Sequence, residues 1–331
     1  MPRPVRIAYP GAHYICTIEA NEENVIFKKS AEYENALSLI QYEADIKNVD
    51  VLAYNLIDNA IILAISTPEG NVARFMQSLT ISLASSVRHN KVGDRMFYDR
   101  YKSIVFERKE NLLNAIDYVH VISGLYEEKL AKQKKLVFNN RYSSLSAYLG
   151  DEKNSFIDVK SVLTDLFKGN LNKLQSQYKS HFDAYFKSEV EDLLYRPFRG
   201  CIIGDAKFCK EMEAATKTYS AKKKLFTKYS RGVKLTTGVA YAPFEKAFLK
   251  YFKTTKADFA ELAQDSDVKQ IVSYLTLRHC AYGKLNLAKI SKKLGVAPAT
   301  LKANSQIVFD RKKSEKAFAA KVKKAQNAIL K

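Results

Sequence analysis

Apolar and polar positions alternate in short, well-separated segments along the first 125 residues. His13 to Thr17, with Ile18, is a β-rich run. Positions 31–44 space Ala36, Leu37, Leu39 and Ile40 as a helix does. Strands at 49–55 and 60–66 flank the polar pair Asp58-Asn59, which predicts a hairpin. Val72, Phe75, Met76, Leu79 and Leu83 fall on one face of a helix over 71–89. A strand over 101–106 and a helix over 110–125 complete the order β-α-β-β-α-β with a trailing helix, the ferredoxin-like arrangement.

The pattern then changes. Residues 127–238 read as a helical, tyrosine-rich connector that opens with Lys129, Lys132, Lys134 and Lys135. It has a loop around Gly150-Asp151-Glu152, helical spacing from Val159 to Leu194, and an exposed basic linker at 222–232. Residues 239–331 read as all-helical, with helices over 243–252, 256–262 and 267–280. Helices over 286–295 and 298–305 follow, the first ending in Gly295 and the turn made by Val296-Ala297, with Pro298 at a first-turn position. Ala288 and Gly295 supply small residues for a close helix crossing, so this pair reads as a helix-turn-helix. The fold class is therefore α+β: a ferredoxin-like domain at 1–126, a helical connector at 127–238, and an all-α helix-turn-helix domain at 239–331.

Charge sharpens this division. The formal net charge is +19, and residues 216–331 hold 26 Lys/Arg against 7 Asp/Glu. Residues 1–215 hold 28 of each. An excess confined to the C-terminal third points to a polyanionic partner, nucleic acid before others. No apolar run is long enough to span a membrane, and the N-terminus lacks a signal-peptide core, so a cytoplasmic, nucleoid-associated protein is expected. Cys16, Cys201, Cys209 and Cys280 form no C-x-x-C pair and read as reduced packing thiols. No structural zinc, metal or other cofactor is expected, and the glycines stand singly rather than in a phosphate-binding loop.

Five segments carry a family resemblance. MPRPVRIAYPGAHYICTIEANEENVIF (1–27), STPEGNVARFMQ (66–77), DRYKSIVFE (99–107), RYSSLSAYLG (141–150) and FRGCIIGDAKF (198–208) occur in this order. They resemble motifs of the REP-associated tyrosine transposases, of the HUH single-strand transposase superfamily. Residues 243–309 resemble the DNA-binding domain of the bacterial replication initiator, with which longer members end. The resemblance implies a covalent chemistry. A tyrosine attacks a phosphodiester, while a metal held by a His-hydrophobic-His pair and a third polar group polarises it. The tyrosine position corresponds to Tyr118. The three ligand positions correspond to Ala60, Ile62 and Ile122, none of which has a lone pair to offer a metal. Asp58 and Asn59 are explained by the turn, and His120, two residues past Tyr118, points elsewhere on a helix.

The expectation is a catalytically inactive relative that binds duplex DNA, with RNA left open, and acts as a transcriptional regulator or architectural factor. The resemblance also implies a homodimer. Contacts to nucleic acid are expected from Lys284, Lys289, Lys292, Lys293, Thr300, Lys302, Asn304, Ser305, Arg311 and Lys312. Arg74, Arg100 and Lys102 match basic positions near the family's DNA groove. Two other functions compete. One is a residual single-strand nuclease or transposase using Tyr118. The other is a protein-interaction module with an exposed apolar groove at Ala60 and Ile62.

Overall fold

Strand β3 (Ala60–Thr67) is buried at all eight positions, so it must be covered on both faces. In the computed structural model it lies inside a five-stranded sheet of order β2-β3-β1-β4-β5. The structure describes residues 7–21, 25–86, 96–97, 100–124, 129–151, 156–185, 197–233, 236–281 and 287–330. The chain divides into two compact units, residues 1–44 with 49–231 and residues 45–48 with 232–331.

In the first unit, β1 (Ala12–Glu19), α1 (Ser30–Lys47), β2 (Asp50–Ile57), β3, α2 (Val72–Ser86), β4 (Lys102–Phe106) and α3 (Arg108–Val121) follow the path expected from sequence. β1 runs antiparallel between β3 and β4, and β2 pairs antiparallel with β3. Asp58-Asn59 forms the hairpin turn, whose Asp58 carbonyl accepts from Ile26 N and Phe27 N. After β3 the chain turns at Gly70, whose φ of +68° suits glycine. A Cβ there would lie 2.7 Å from the Tyr9 carbonyl carbon, so the turn also depends on close backbone approach.

Three expected features change. Helix α3 ends at Val121, and Ile122–Gly124 is a 3-10 turn. The far part of the helix expected to 89 lies outside the described residues beyond Ser86. The expected connector joins the sheet: Ile202–Ile203 forms β5, parallel to β4, and residues up to 231 pack in the same unit. Its helices are α4 (Leu130–Phe138), α5 (Leu145–Leu149), α6 (Val159–Thr164), α7 (Leu171–Tyr185), α8 (Ala206–Lys217) and α9 (Tyr219–Ser230). The basic stretch expected as a linker is therefore a helix. The Thr218 side chain caps it by accepting from Ala221 N, and Leu225 anchors it in the core.

The second unit is helical: α10 (Tyr241–Phe252), α11 (Lys256–Glu261), α12 (Asp267–His279), α13 (Leu287–Leu294), α14 (Pro298–Ser314) and α15 (Lys316–Ile329). Thr255 and Asp258 form a reciprocal capping box at α11. Gly295, at φ +64°, ends α13, and Val296 N donates back to Ser291 O at 3.1 Å. α14 begins three residues later with Pro298 in its first turn. The helix pair expected from sequence is present, but α14 runs nine residues beyond its expected end at 305. Ala288 is exposed rather than at a crossing; Ile290, Ser291 and Leu294 are the buried face of α13. Among the described residues, no helix is long and apolar enough to cross a membrane. All four cysteines are buried, and none is in a disulfide.

Candidate nucleic-acid interface

The basic residues of the second unit fall into two groups, and one of them holds the unit together. Lys269 is fully buried; its Nζ donates to Ala260 O at 3.0 Å and Leu262 O at 2.8 Å, satisfying carbonyls at the end of α11. Arg311 donates to Asp267 at 2.8 Å and Glu315 at 2.9 Å, with its guanidinium 3.7 Å from the Phe318 ring centre. Lys312 donates to the Tyr274 hydroxyl at 2.6 Å, and burial lowers the pKa of its ammonium. Arg311 and Lys312, expected at a nucleic-acid surface, are instead occupied inside the unit.

Helix phase explains this, and it corrects two further expectations. Leu301, Val308 and Phe309 fix the inward stripe of α14. Asn304 and Ser305 lie three and four residues after Leu301, on that stripe, and are only 4% and 0% exposed. They cannot reach a base edge. Lys312 follows Val308 by four residues and turns inward for the same reason. A helix expected to stop at 305 gave no later apolar residues to set this phase.

The second group faces solvent. Lys289 and Lys292 on α13 and Lys302 on α14 are exposed, and Thr300 is half-exposed. Lys293 is exposed with its ammonium 5.3 Å from the Tyr241 ring centre. Ala299, Lys302, Ala303 and the half-exposed Gln306 form the outward face of the first half of α14. Gln306, missed from sequence, becomes visible once the helix is extended past 305. Lys284 lies outside the described residues.

In the first unit the positions matched to metal ligands are core. Ala60, Ile62 and Ile122 are 7%, 2% and 6% exposed. Register shows why. Ile62 sits between Thr17 of β1 and Asn55 of β2, and directly paired residues share a face. On that face the Asn55 amide donates to Val119 O at 2.8 Å and His120 O at 3.2 Å, so α3 covers it. The apolar groove expected at Ala60 and Ile62 is therefore filled. An open cleft of about 670 Å³ lies nearby, lined by Asp58, Asn59, Ile122, Lys132 and Lys135 among others. Tyr118 is half-buried and packs against the hydrophobic core. Among the described residues, no three His, Cys, Asp or Glu side chains are grouped to hold a metal.

His120 does point away from the Tyr118 position, into a buried polar chain that sequence reading missed. The Tyr178 hydroxyl donates to Asp117 Oδ1 at 2.9 Å, so its oxygen accepts from His120 Nδ1 at 2.8 Å. His120 Nε2 lies 2.8 Å from the Ser144 hydroxyl, which also meets Tyr54 O at 3.2 Å, and the buried imidazole is neutral. Burial pushes its pKa down to about 3. Asp117 Oδ2 meets His181 Nε2 at 2.6 Å. That bond raises the His181 pKa, while burial raises that of Asp117. Ser144 Oγ also accepts from Tyr54 N at 2.9 Å, so the chain ties β2, α3 and α7 together around fully buried His120. Its partners lie 24 and 58 residues from His120, beyond any local sequence signal.

Arg74 is half-buried on α2, Arg100 is exposed, and exposed Lys102 pairs with Glu19 at 2.6 Å. A pair this exposed still leaves the lysine open to exchange partners.

No protein-family model and no curated protein matches the chain. A solved structure of a REP-associated tyrosine transposase bound to a REP hairpin is similar over 52% of this chain and 93% of that chain. The identity is 10% and the TM-score 0.38.

Proposed function

We propose that this chain binds duplex DNA through the outward face of α13 and α14, cuts no strand, and acts as a transcriptional regulator or architectural factor. The observation that carries the reading is the location of charge. The C-terminal 116 residues hold 26 Lys/Arg against 7 Asp/Glu. Lys289, Lys292 and Lys302 stand exposed on two helices joined by a tight glycine turn. In this reading Lys289 and Lys292 contact phosphates, and the first turn of α14 enters the major groove. Thr300, Lys302 and Gln306 are the side chains within reach of base edges or phosphates. Exposed Lys293, beside Tyr241, adds to the phosphate-facing charge.

Two features support the absence of cleavage. The three positions matched to metal ligands are apolar and buried. Without a metal, a tyrosine of ordinary pKa near ~10 is a poor attacking group for a phosphodiester. The β-α-β-β-α-β path and the neighbouring order β2-β3-β1-β4 support a ferredoxin-like reading of the sheet.

Genome-wide occupancy of the tagged wild type and Tyr118→Phe tests the reading, together with a denaturing-gel search for a covalent DNA adduct in Mg²⁺ or Mn²⁺. Sharp peaks sharing one motif, identical in both proteins and without an adduct, are expected. A wild-type adduct lost in Tyr118→Phe would establish the nuclease alternative instead.

A further inference from the structure

Helix α9 carries a stripe that duplex binding does not use. Leu225 turns inward, and Tyr229 packs beside Tyr9 with ring centres 4.4 Å apart. This orientation leaves Tyr219, Lys222, Lys223 and Phe226 on the outer side at spacings of three, four and seven residues, which share one helix face. Tyr219 is 82% exposed and Phe226 is 38% exposed. At a rise of ~1.5 Å per residue the two aromatic positions stand about 10 Å apart along the helix, with both lysines between them.

The surrounding charge is one-sided. Nearby carboxylates are already engaged: Glu211 with Lys228 at 2.6 Å, and Glu213 with Lys217 at 3.0 Å and Arg199 at 2.9 Å. Lys222, Lys223 and Lys224 are exposed and make no ion pair among the described residues. The face therefore offers positive charge and two flat aromatic surfaces together.

These two features select among polyanions. A duplex presents phosphates but keeps its base faces stacked, leaving the rings unused. An anionic membrane suits a helix with a broad apolar face, whereas here each aromatic stands beside lysines. An unpaired strand uses both features: bases stack on exposed rings while ammonium groups meet phosphates. Unpaired, splayed bases are presented as a matter of course by loops and single-stranded stretches of RNA. We infer that this face of α9 binds an unpaired stretch of RNA, with Tyr219 and Phe226 stacking on bases and Lys222 and Lys223 contacting phosphates. The inference is independent of duplex binding by α13 and α14.

The test uses the full chain and labelled oligo(rU), oligo(dT) and duplex DNA in anisotropy titrations, with phosphatidylserine vesicles as competitor. Tyr219→Ala and Phe226→Ala are each expected to weaken oligo(rU) binding roughly tenfold, within the range for loss of one base–aromatic stack. Duplex affinity stays unchanged in both, and Tyr219→Phe retains oligo(rU) binding. Lys222→Ala with Lys223→Ala also weakens oligo(rU) binding and flattens its salt dependence. Circular dichroism checks that these surface variants fold; an unfolded variant is replaced by Tyr219→Ser or Phe226→Ser at the same position.

Four results would overturn the inference. They are oligo(rU) affinity indifferent to both aromatic variants, loss of that affinity in Lys292→Ala/Lys302→Ala instead, tighter binding of oligo(dT) than of oligo(rU), or displacement of oligo(rU) by the vesicles. Failure of duplex binding alone would count against the function proposed above and leave this stripe standing.

Discussion

The sheet face under α3 and the outward face of α13 and α14 treat polar chemistry in opposite ways. On the sheet, Ala60 and Ile62 join the core, and nearby polar groups serve one another: Asn55 holds the α3 carbonyls, and His120 links Tyr178 to Ser144. On the helix pair, Leu301, Val308 and Phe309 set an inward stripe that also takes in Asn304 and Ser305, while Lys289, Lys292 and Lys302 remain outside. The difference shows that a count of polar or basic residues says little until each is placed. Lys269, Arg311 and Lys312 count among the basic residues just as Lys292 does, yet they hold helices together.

The largest test of this contrast is acid. His120 is buried neutral, with its pKa depressed from the ordinary ~6.5 to about 3. The unfolded chain takes up that proton near ~6.5, while the folded chain resists it. Stability contributed by the neutral imidazole is therefore intact above ~6.5 and is lost as pH falls toward 3. The full loss is roughly 4–5 kcal/mol by the linkage of 1.36 kcal/mol per unit. Thermal melts across this window should show the fall, and His120→Gln should make it shallower. A first unit equally stable at both ends would contradict the buried chain.

Restoring the lost polar positions is next in size. Ala60→His with Ile62→His places two imidazoles beneath α3 and should destabilise the first unit by about 2–4 kcal/mol. Denaturant unfolding measures this cost. Unchanged stability, or cleavage of single-stranded DNA on adding Mn²⁺, would mean that the face is still an open site. The smallest effect is expected at Asn304, whose amide nitrogen is buried without a hydrogen-bond partner. Asn304→Leu keeps the branched side-chain shape and removes that group, so stability should change by less than about 1 kcal/mol or rise. Duplex affinity should stay the same. Lost affinity would restore Asn304 as a reader of bases.

Elements with their own apolar period were legible in the sequence. Val72, Phe75, Met76, Leu79 and Leu83 announce α2, and all five are buried on it. The β2–β3 hairpin follows from two strand runs around Asp58-Asn59. Features made by distant partners were not legible. β5 has two residues and exists because β4 offers an unpaired edge. Ser144, Tyr178 and Asp117 meet around His120 only after α7 docks. Site residues failed where helix phase was undetermined: ending α14 at 305 let Asn304 and Ser305 face outward and hid Gln306. Composition alone makes the basic stretch at 222–232 resemble a linker, although Thr218 and Leu225 supply a cap and an anchor for a helix.

The most direct measurement is duplex affinity against salt for wild type, Lys292→Ala/Lys302→Ala and Tyr118→Phe. The basic-face account predicts weaker binding by the double variant at every salt concentration. Its log–log salt slope should be shallower by about 2, roughly one for each lost phosphate contact, with Tyr118→Phe indistinguishable from wild type. Unchanged slope in the lysine variant, with affinity lost in Tyr118→Phe, would move binding to the sheet unit and contradict the account.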